Sequence, residues 1–397
     1  MSANECVLAD TRYAETSAPL PLWGLLALAC AGFITVLTEA VPAGLLPAIS
    51  ADLGISQSLA GQLVTVYALG SIGAAIPLVK LTRTWARRPL LLVAIAGFAL
   101  VNGLTAWTHS YPLMLLTRAL AGISAGLLWA LLAGYAGRIV APHQQGRAMA
   151  VAMVGIPVAL SLGIPAGTWL GQLLGWRWVF GSMSLLSLGV VAWARAALPP
   201  LPARTEQAHA RLRDVFALPG LSSVLLVMVL FVLAHNLLYT YIAPLASRAG
   251  AADVLDRVLL VFGVASLAGI SLVGSLIDRW MRPLAWLTVV LFGVAALVLV
   301  AWPGSITALC VAAGIWGLAF GGSPTLFQTA VARRSGPQAD LAQSLVVTGW
   351  NLSIAAGGFF GGWMLKTSGE IALPWAAVAL LVAGLLVAVP AKRAWAT

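Results

Sequence analysis

Charge is what this sequence has least of. Only 9% of its 397 residues are Asp, Glu, Lys or Arg, against roughly 25% in an ordinary globular chain, so it could not cover a folded surface in water. Reactive and metal-binding residues are scarce too. Its three cysteines, Cys6, Cys30 and Cys310, have no metal-ligand spacing and cannot form a disulfide framework, which excludes structural zinc and redox chemistry. The chain contains no Gly-x-x-x-x-Gly-Lys-Ser/Thr loop and no soluble stretch to hold one, so nucleotide hydrolysis is excluded as an energy source. No cofactor, metal or catalytic residue is expected, and the chain is not read as an enzyme. The first 20 residues hold Glu5, Asp10, Arg12 and Glu15 and no apolar core, so no secretory signal is expected and the first span serves as the insertion signal.

What the chain has is apolar length. Hydrophobic residues make up 61%, in runs of about 20, enough to cross a bilayer as helices. Breaks between them place spans near 21–46, 57–80, 89–108, 111–138, 147–173 and 177–197, then near 219–245, 255–277, 283–301, 305–331, 340–365 and 371–391. Nothing alternates over ten-residue segments, which excludes an outer-membrane barrel. The expected fold is an all-α polytopic membrane protein of twelve transmembrane helices.

The formal charge of +10 would suit nucleic acid, but its placement argues for membrane topology instead. Arg83, Arg87, Arg88, Arg138, Arg147, Arg195, Arg204, Arg211, Arg213, Arg279, Arg282, Arg333, Arg334, Lys392 and Arg393 fall at even-numbered connections or the C-terminus. The opposite connections hold Arg177, Arg248, Arg257 and Lys366. Because Lys and Arg remain cytoplasmic, both termini are expected inside the cell, in a multi-pass protein of the inner membrane.

The Pro-rich, charged stretch "LPPLPARTEQAHARLRDVFALPG", 198–220, divides the chain into two sets of six spans. The expected division is a six-helix bundle over 1–197, a cytoplasmic linker over 198–218 and a second bundle over 219–397. The halves also resemble each other. Gly126-Leu127 meets Gly317-Leu318, and Gly167 with Gly171 meets Gly358 with Gly362, both at a shift of 191; "EAVPAGLLP" meets "NLLYTYIAP" at a shift of 197. Two six-helix halves facing a central site is the plan of a transporter with parallel repeats.

Four stretches carry a family resemblance: "TEAVPAGLLPAISADLG" (38–54), "RALAG" (118–122), "GSLIDRWMRP" (274–283) and "GIPVALSLGIPAGTWLGQLLG" (155–175). Over nearly its whole length the chain resembles the major facilitator superfamily, in its bacterial drug and sugar efflux branch. The resemblance implies the two-bundle fold of that family and, from the fifth-helix stretch, antiport. Two departures stand out: Thr82 replaces the Asp usual before Arg83, with Leu78 where Gly is usual, and the fifth helix reads Gly-Ile-Pro-Ala-Gly. An ion pair built on that Asp is therefore absent or replaced.

Small residues at every fourth position of 155–175 form a stripe about 30 Å long, and close backbone approach through small residues drives helix association in lipid. Gly155, Gly163, Gly167 and Gly171, with the bending prolines Pro157 and Pro165, are read as a surface on which the halves rock; tight packing within one half is the alternative. Asp278, Arg279 and Arg282 join them as gating residues by the loop motif.

Two charges lie deep within spans. Glu39 is seven residues from the end of the first span, ~10 Å, and Arg118 six residues into the fourth, ~9 Å from the same face. Equal depth makes them a pair, direct or through water, and intramembrane charges usually serve function. The expected role is proton coupling, with Glu39 the carrier; pinning two helices together is the structural alternative. Asn236 sits where the repeat places Glu39, and with Tyr239 it ranks ahead of His235 as a substrate contact. Tyr67, Asn102, Trp129, Gln328, Trp350 and Asn351 are further candidates. The expected function is proton-coupled export of a small molecule, a sugar, nucleoside or amphiphilic drug, by a monomer in the lipid bilayer that binds no nucleic acid. An importer on the same scaffold and a non-transporting receptor are the alternatives.

Overall fold

Lipid offers no partner for backbone N–H and C=O groups, so each apolar run closes its own hydrogen bonds as a helix. The computed structural model describes residues 19–82, 84–141, 144–202, 218–335 and 339–391. Six helices come from the first half: α1 (Leu22–Leu53), α2 (Gln57–Leu81), α3 (Arg87–Trp107), α4 (Tyr111–Arg138), a segmented α5 (Gln145–Met153, Gly155–Val158, Ile164–Leu174) and α6 (Trp176–Ala197). The second half gives α7 (Leu221–Tyr239, resumed as Ile242–Arg248), α8 and α9 as the two parts of Leu255–Ala301, α10 (Ile306–Gly321, then Ser323–Ser335), α11 (Ala339–Ser368) and α12 (Ala372–Ala388). Ten described helices are long and apolar enough to span a membrane, and α2 and the shorter α12 complete the expected twelve.

Local chemistry sets where these helices end and bend. The Ser56 hydroxyl accepts from the Leu59 N–H to open α2. Helix α1 runs on past residue 46 to Gly54, whose φ of 63° stops it. Within α5 a π turn spans Ala159–Gly163; Pro165 has no N–H for the Ser161 carbonyl, and the turn before it widens. The loop expected between α8 and α9 is only a kink, at Trp280 with φ −128° and ψ 28°. Thr82, in place of the family Asp, is buried and donates to its own helix at Leu78 O, 2.6 Å away.

The helices of each half pack mainly on one another. Residues 198–202 lie against the basic ends of α3 and α4: the Tyr135 hydroxyl donates to Pro199 O, Arg138 to Pro202 O at 3.1 Å and the Arg87 N–H to Leu201 O at 3.0 Å. Arg83, Arg204, Arg211, Arg213, Lys392 and Arg393 lie outside the described residues, as do Cys6 and the rest of the linker.

The stripe on α5 faces its own half. A β-carbon at Gly155 would overlap the Ala29 carbonyl; at Gly163 it would lie 2.9 Å from the Phe33 ring and at Gly167 2.7 Å from Val41, while one at Gly171 would overlap Leu45. All four partners are on α1, which corrects the expectation of a surface between the halves. Another face of α5 does meet the other half: its Gly155–Val158, Ala159–Gly163 and Ile164–Leu174 segments all touch the Leu255–Ala301 helix, with Leu160 and Ser161 against Gly263 of α8.

The main seam between halves is α2 against α11. Ser58 Oγ donates to Gly362 O at 2.6 Å, Gln62 Nε2 to Gly358 O at 3.2 Å and Thr65 Oγ1 to Ala355 O at 3.3 Å. Tyr241, from the break in α7, adds a bond to Gly358 O at 2.6 Å. These contacts lie toward the end opposite the basic connections.

Candidate functional site

The deep charges are placed by a proline. Pro42 has no N–H to give to the Thr38 carbonyl, four residues back in α1. Arg118 of α4 takes that carbonyl instead, with Nη2 at 3.0 Å. Its guanidinium is fully buried between the rings of Tyr67 and Phe180, 5.4 and 5.6 Å from their centroids. Nε and Nη1 have no hydrogen-bond partner among the described residues. Glu39, the next residue along α1, is half-buried and lies within electrostatic reach of Arg118. No hydrogen bond or ion pair joins the two side chains.

Tyr67 and Asn102, read as substrate candidates, belong to this cluster. The Tyr67 hydroxyl donates to Thr35 O at 3.2 Å and Asn102 Nδ2 to Thr38 Oγ1 at 3.1 Å, leaving Asn102 Oδ1 buried without a partner. The arrangement combines a guanidinium anchored on backbone with a carboxyl that has no fixed partner. Such a carboxyl can gain or lose a proton without breaking a bond.

Across the molecule, His235 and Tyr239 of α7 sit in a nest of aromatic rings with Phe262, Trp316 and Phe320. Asn236, their neighbour, donates to Val232 O of its own helix at 2.9 Å, and Asn351 likewise to Val347 O at 3.0 Å. Trp350 is half-buried, 6.1 Å from Phe320. Gln328 is exposed and lends its carbonyl to Gln343 at 2.9 Å. Trp129 packs, half-buried, on the core of the first half. At the α8–α9 kink the Arg279 guanidinium stands 5.9 Å from the Trp280 ring and that of Arg282 4.4 Å from the Trp286 ring. The Asp278 side chain lies outside the described set.

Sequence reasoning missed the ring partners Trp316 and Phe320. It also missed the donors Ser58, Gln62 and Thr65. The Gly358 and Gly362 spacing was the available signal for that seam.

Each half has an ion pair at the end away from the basic connections. Arg177 pairs with Asp52 in the first, also donating to Thr108 O at 2.9 Å. Arg248 pairs with Glu370 in the second at 2.6 Å. That hydrogen bond holds the Glu370 carboxyl below the usual carboxylate range. The pair's contribution to stability is therefore complete above the unfolded-state pKa, about 4.3, and is lost as pH falls through the lower folded value. Because the pair is partly exposed, Glu370→Gln is expected to lower the melting temperature by only about 1 °C at pH 7, and by progressively less as pH falls through that lower folded value. A thermal-shift series across that range checks it.

Comparison with known proteins bears on all of this. The Major Facilitator Superfamily description matches residues 28–280. The chain is similar to the purine ribonucleoside efflux pump NepI of Shigella sonnei (strain Ss046), 29% identical over 360 residues, covering 90% of this chain and 91% of that protein. It is 30% identical over 336 residues to the protein of the same name from Escherichia coli (strain K12), covering 84% and 85%. In fold it is similar to the partially occluded inward open xylose transporter XylE of E. coli, with a TM-score of 0.72 at 17% identity, covering 93% of this chain and 98% of that one.

Proposed function

The chain belongs to the major facilitator superfamily, and on that premise we propose that it exports purine ribonucleosides in exchange for protons. It is a multi-pass membrane transporter and not an enzyme. The observation that carries the substrate reading is the similarity to the named nucleoside efflux pumps, which at 84% of the chain must include both halves. The chemistry of the site supports it: aromatic faces and neutral hydrogen-bonding groups suit a flat, uncharged, polar solute.

The basic connections and both termini lie on the cytoplasmic side of the inner membrane, by the distribution of Lys and Arg. The α2–α11 seam then lies on the outer side. A nucleoside enters from the cytoplasm. Rocking of the halves parts the seam and releases it outside. Glu39 takes a proton from the outward-open cavity and gives it up on the cytoplasmic side, beside the anchored Arg118. One chain contains the whole path, so the working unit is a monomer.

Inverted vesicles test the reading directly. With the interior made acidic, they should accumulate labelled adenosine or inosine, and a protonophore should discharge it. Accumulation in right-side-out vesicles would make the protein an importer. Uptake of a sugar or amphiphilic drug without any nucleoside would overturn the substrate assignment, and binding without flux in either orientation would favour a receptor.

A further inference from the structure

The indole Nε1 of Trp316 lies 3.1 Å from His235 Nδ1. An indole nitrogen only donates, so Nδ1 is the acceptor and the neutral imidazole carries its hydrogen on Nε2. Packing fixes the ring as well as the tautomer. It stacks on Phe320 with centroids 3.7 Å apart and planes at 12°, and on Tyr239 at 5.0 Å and 22°. Trp316 is itself stacked on Phe292 at 5.4 Å and 2°. A proton on Nδ1 would face the indole N–H and break their bond, so the ring is built as a donor.

Nε2 bonds to no described residue, and His235 is 6% exposed, beside the Tyr239 hydroxyl four residues on. That hydroxyl is buried without a partner, so the cluster holds a second unsatisfied polar atom, and a polar ligand would relieve its cost. Phe320 and the half-buried Trp350 supply flat apolar surface alongside.

We propose that His235 is the residue that recognises the base: its Nε2–H donates to an acceptor on the purine ring, with Trp316 as the positioning residue that fixes the donor. The inference rests on the nucleoside reading above and adds to it the atom through which the base is distinguished. It reverses the order expected from sequence, because the Asn236 amide is committed to its own helix.

The test is binding of adenosine and its 1-deaza, 3-deaza and 7-deaza analogues to the purified full chain in detergent, each analogue replacing one ring acceptor by C–H. One analogue should bind about five- to tenfold more weakly than adenosine, the worth of one net hydrogen bond. His235→Phe, which keeps a flat ring in the stack, should abolish that ratio, and His235→Gln, which keeps an N–H donor, should retain part of it. Trp316→Phe should shrink the ratio while leaving the affinity for that analogue near wild type, whereas a purely structural loss would weaken both ligands together. Equal binding of all four nucleosides, or a ratio that survives His235→Phe, would overturn the assignment. Absence of adenosine binding to the unaltered chain would instead overturn the nucleoside reading beneath it.

Discussion

Glu39→Gln is expected to bring proton-driven nucleoside accumulation down to the level of empty liposomes while substrate binding stays close to wild type. Gln has the shape of Glu and its hydrogen-bonding capacity but cannot ionise. Glu39 makes no bond whose loss could be mistaken for lost coupling, and Arg118 remains held by the Thr38 carbonyl at 3.0 Å. Arg118→Ala should behave differently. It leaves that carbonyl without a donor, since Pro42 cannot supply one, and empties the space between Tyr67 and Phe180; an orphaned buried group alone costs about 1–3 kcal/mol. Stability and transport should therefore fall together. Proteoliposomes with an imposed pH gradient, read beside nucleoside binding, separate the two variants. If the Gln variant still concentrates substrate, the proton travels by another group.

The second large effect is expected from Gly358→Leu. A β-carbon there would overlap the Thr65 hydroxyl, and one at Gly362 would lie 2.5 Å from the Tyr241 hydroxyl and 2.6 Å from Gln62 Nε2. Overpacking costs about 1–3 kcal/mol, and if the strain exists only while the seam is closed, it moves the conformational equilibrium by roughly ten- to a hundredfold. Transport should collapse although the protein inserts and folds. A cysteine in place of Ser58 should then react with a membrane-impermeant maleimide from outside faster than the same cysteine does without Gly358→Leu, because in the closed seam that position is half-buried against Gly362 O. Gly189 of α6 is exposed and has nothing within 4 Å of an added β-carbon, so Gly189→Leu is the control for added bulk. Normal flux and unchanged labelling in Gly358→Leu would show that the seam does not close during the cycle.

Apolar length and charge placement made the helices legible, because in lipid both follow directly from transfer energetics. Pairing was legible only in part. Depth put Glu39 and Arg118 at one level, but the carbonyl that holds Arg118 depends on Pro42, and a missing N–H is visible in sequence only once its helix partner is known. The α5 stripe was recognised as a close-packing surface; its spacing does not say which helix it meets, and α1 proved to be the partner. His235 ranks below Asn236 and Tyr239 in the sequence because a lone histidine on an apolar face is more often a hydrogen-bonded structural residue, and nothing beside it marks its tautomer. That information sits on Trp316, 81 residues away along the chain.

The seam between α2 and α11 is chemically one-sided. Ser58, Gln62 and Thr65 supply donors, while α11 supplies only the backbone carbonyls of Gly362, Gly358 and Ala355. Carbonyls recur at every residue of any helix, so no particular side chain on α11 is required to match a change on α2. Among homologues, the α2 positions should therefore drift among Ser, Thr, Asn and Gln while Gly358 and Gly362 stay glycine, since a β-carbon at either would run into the side chains that face it. A search for correlated substitutions between the two helices would come back empty at the contact on which closure depends.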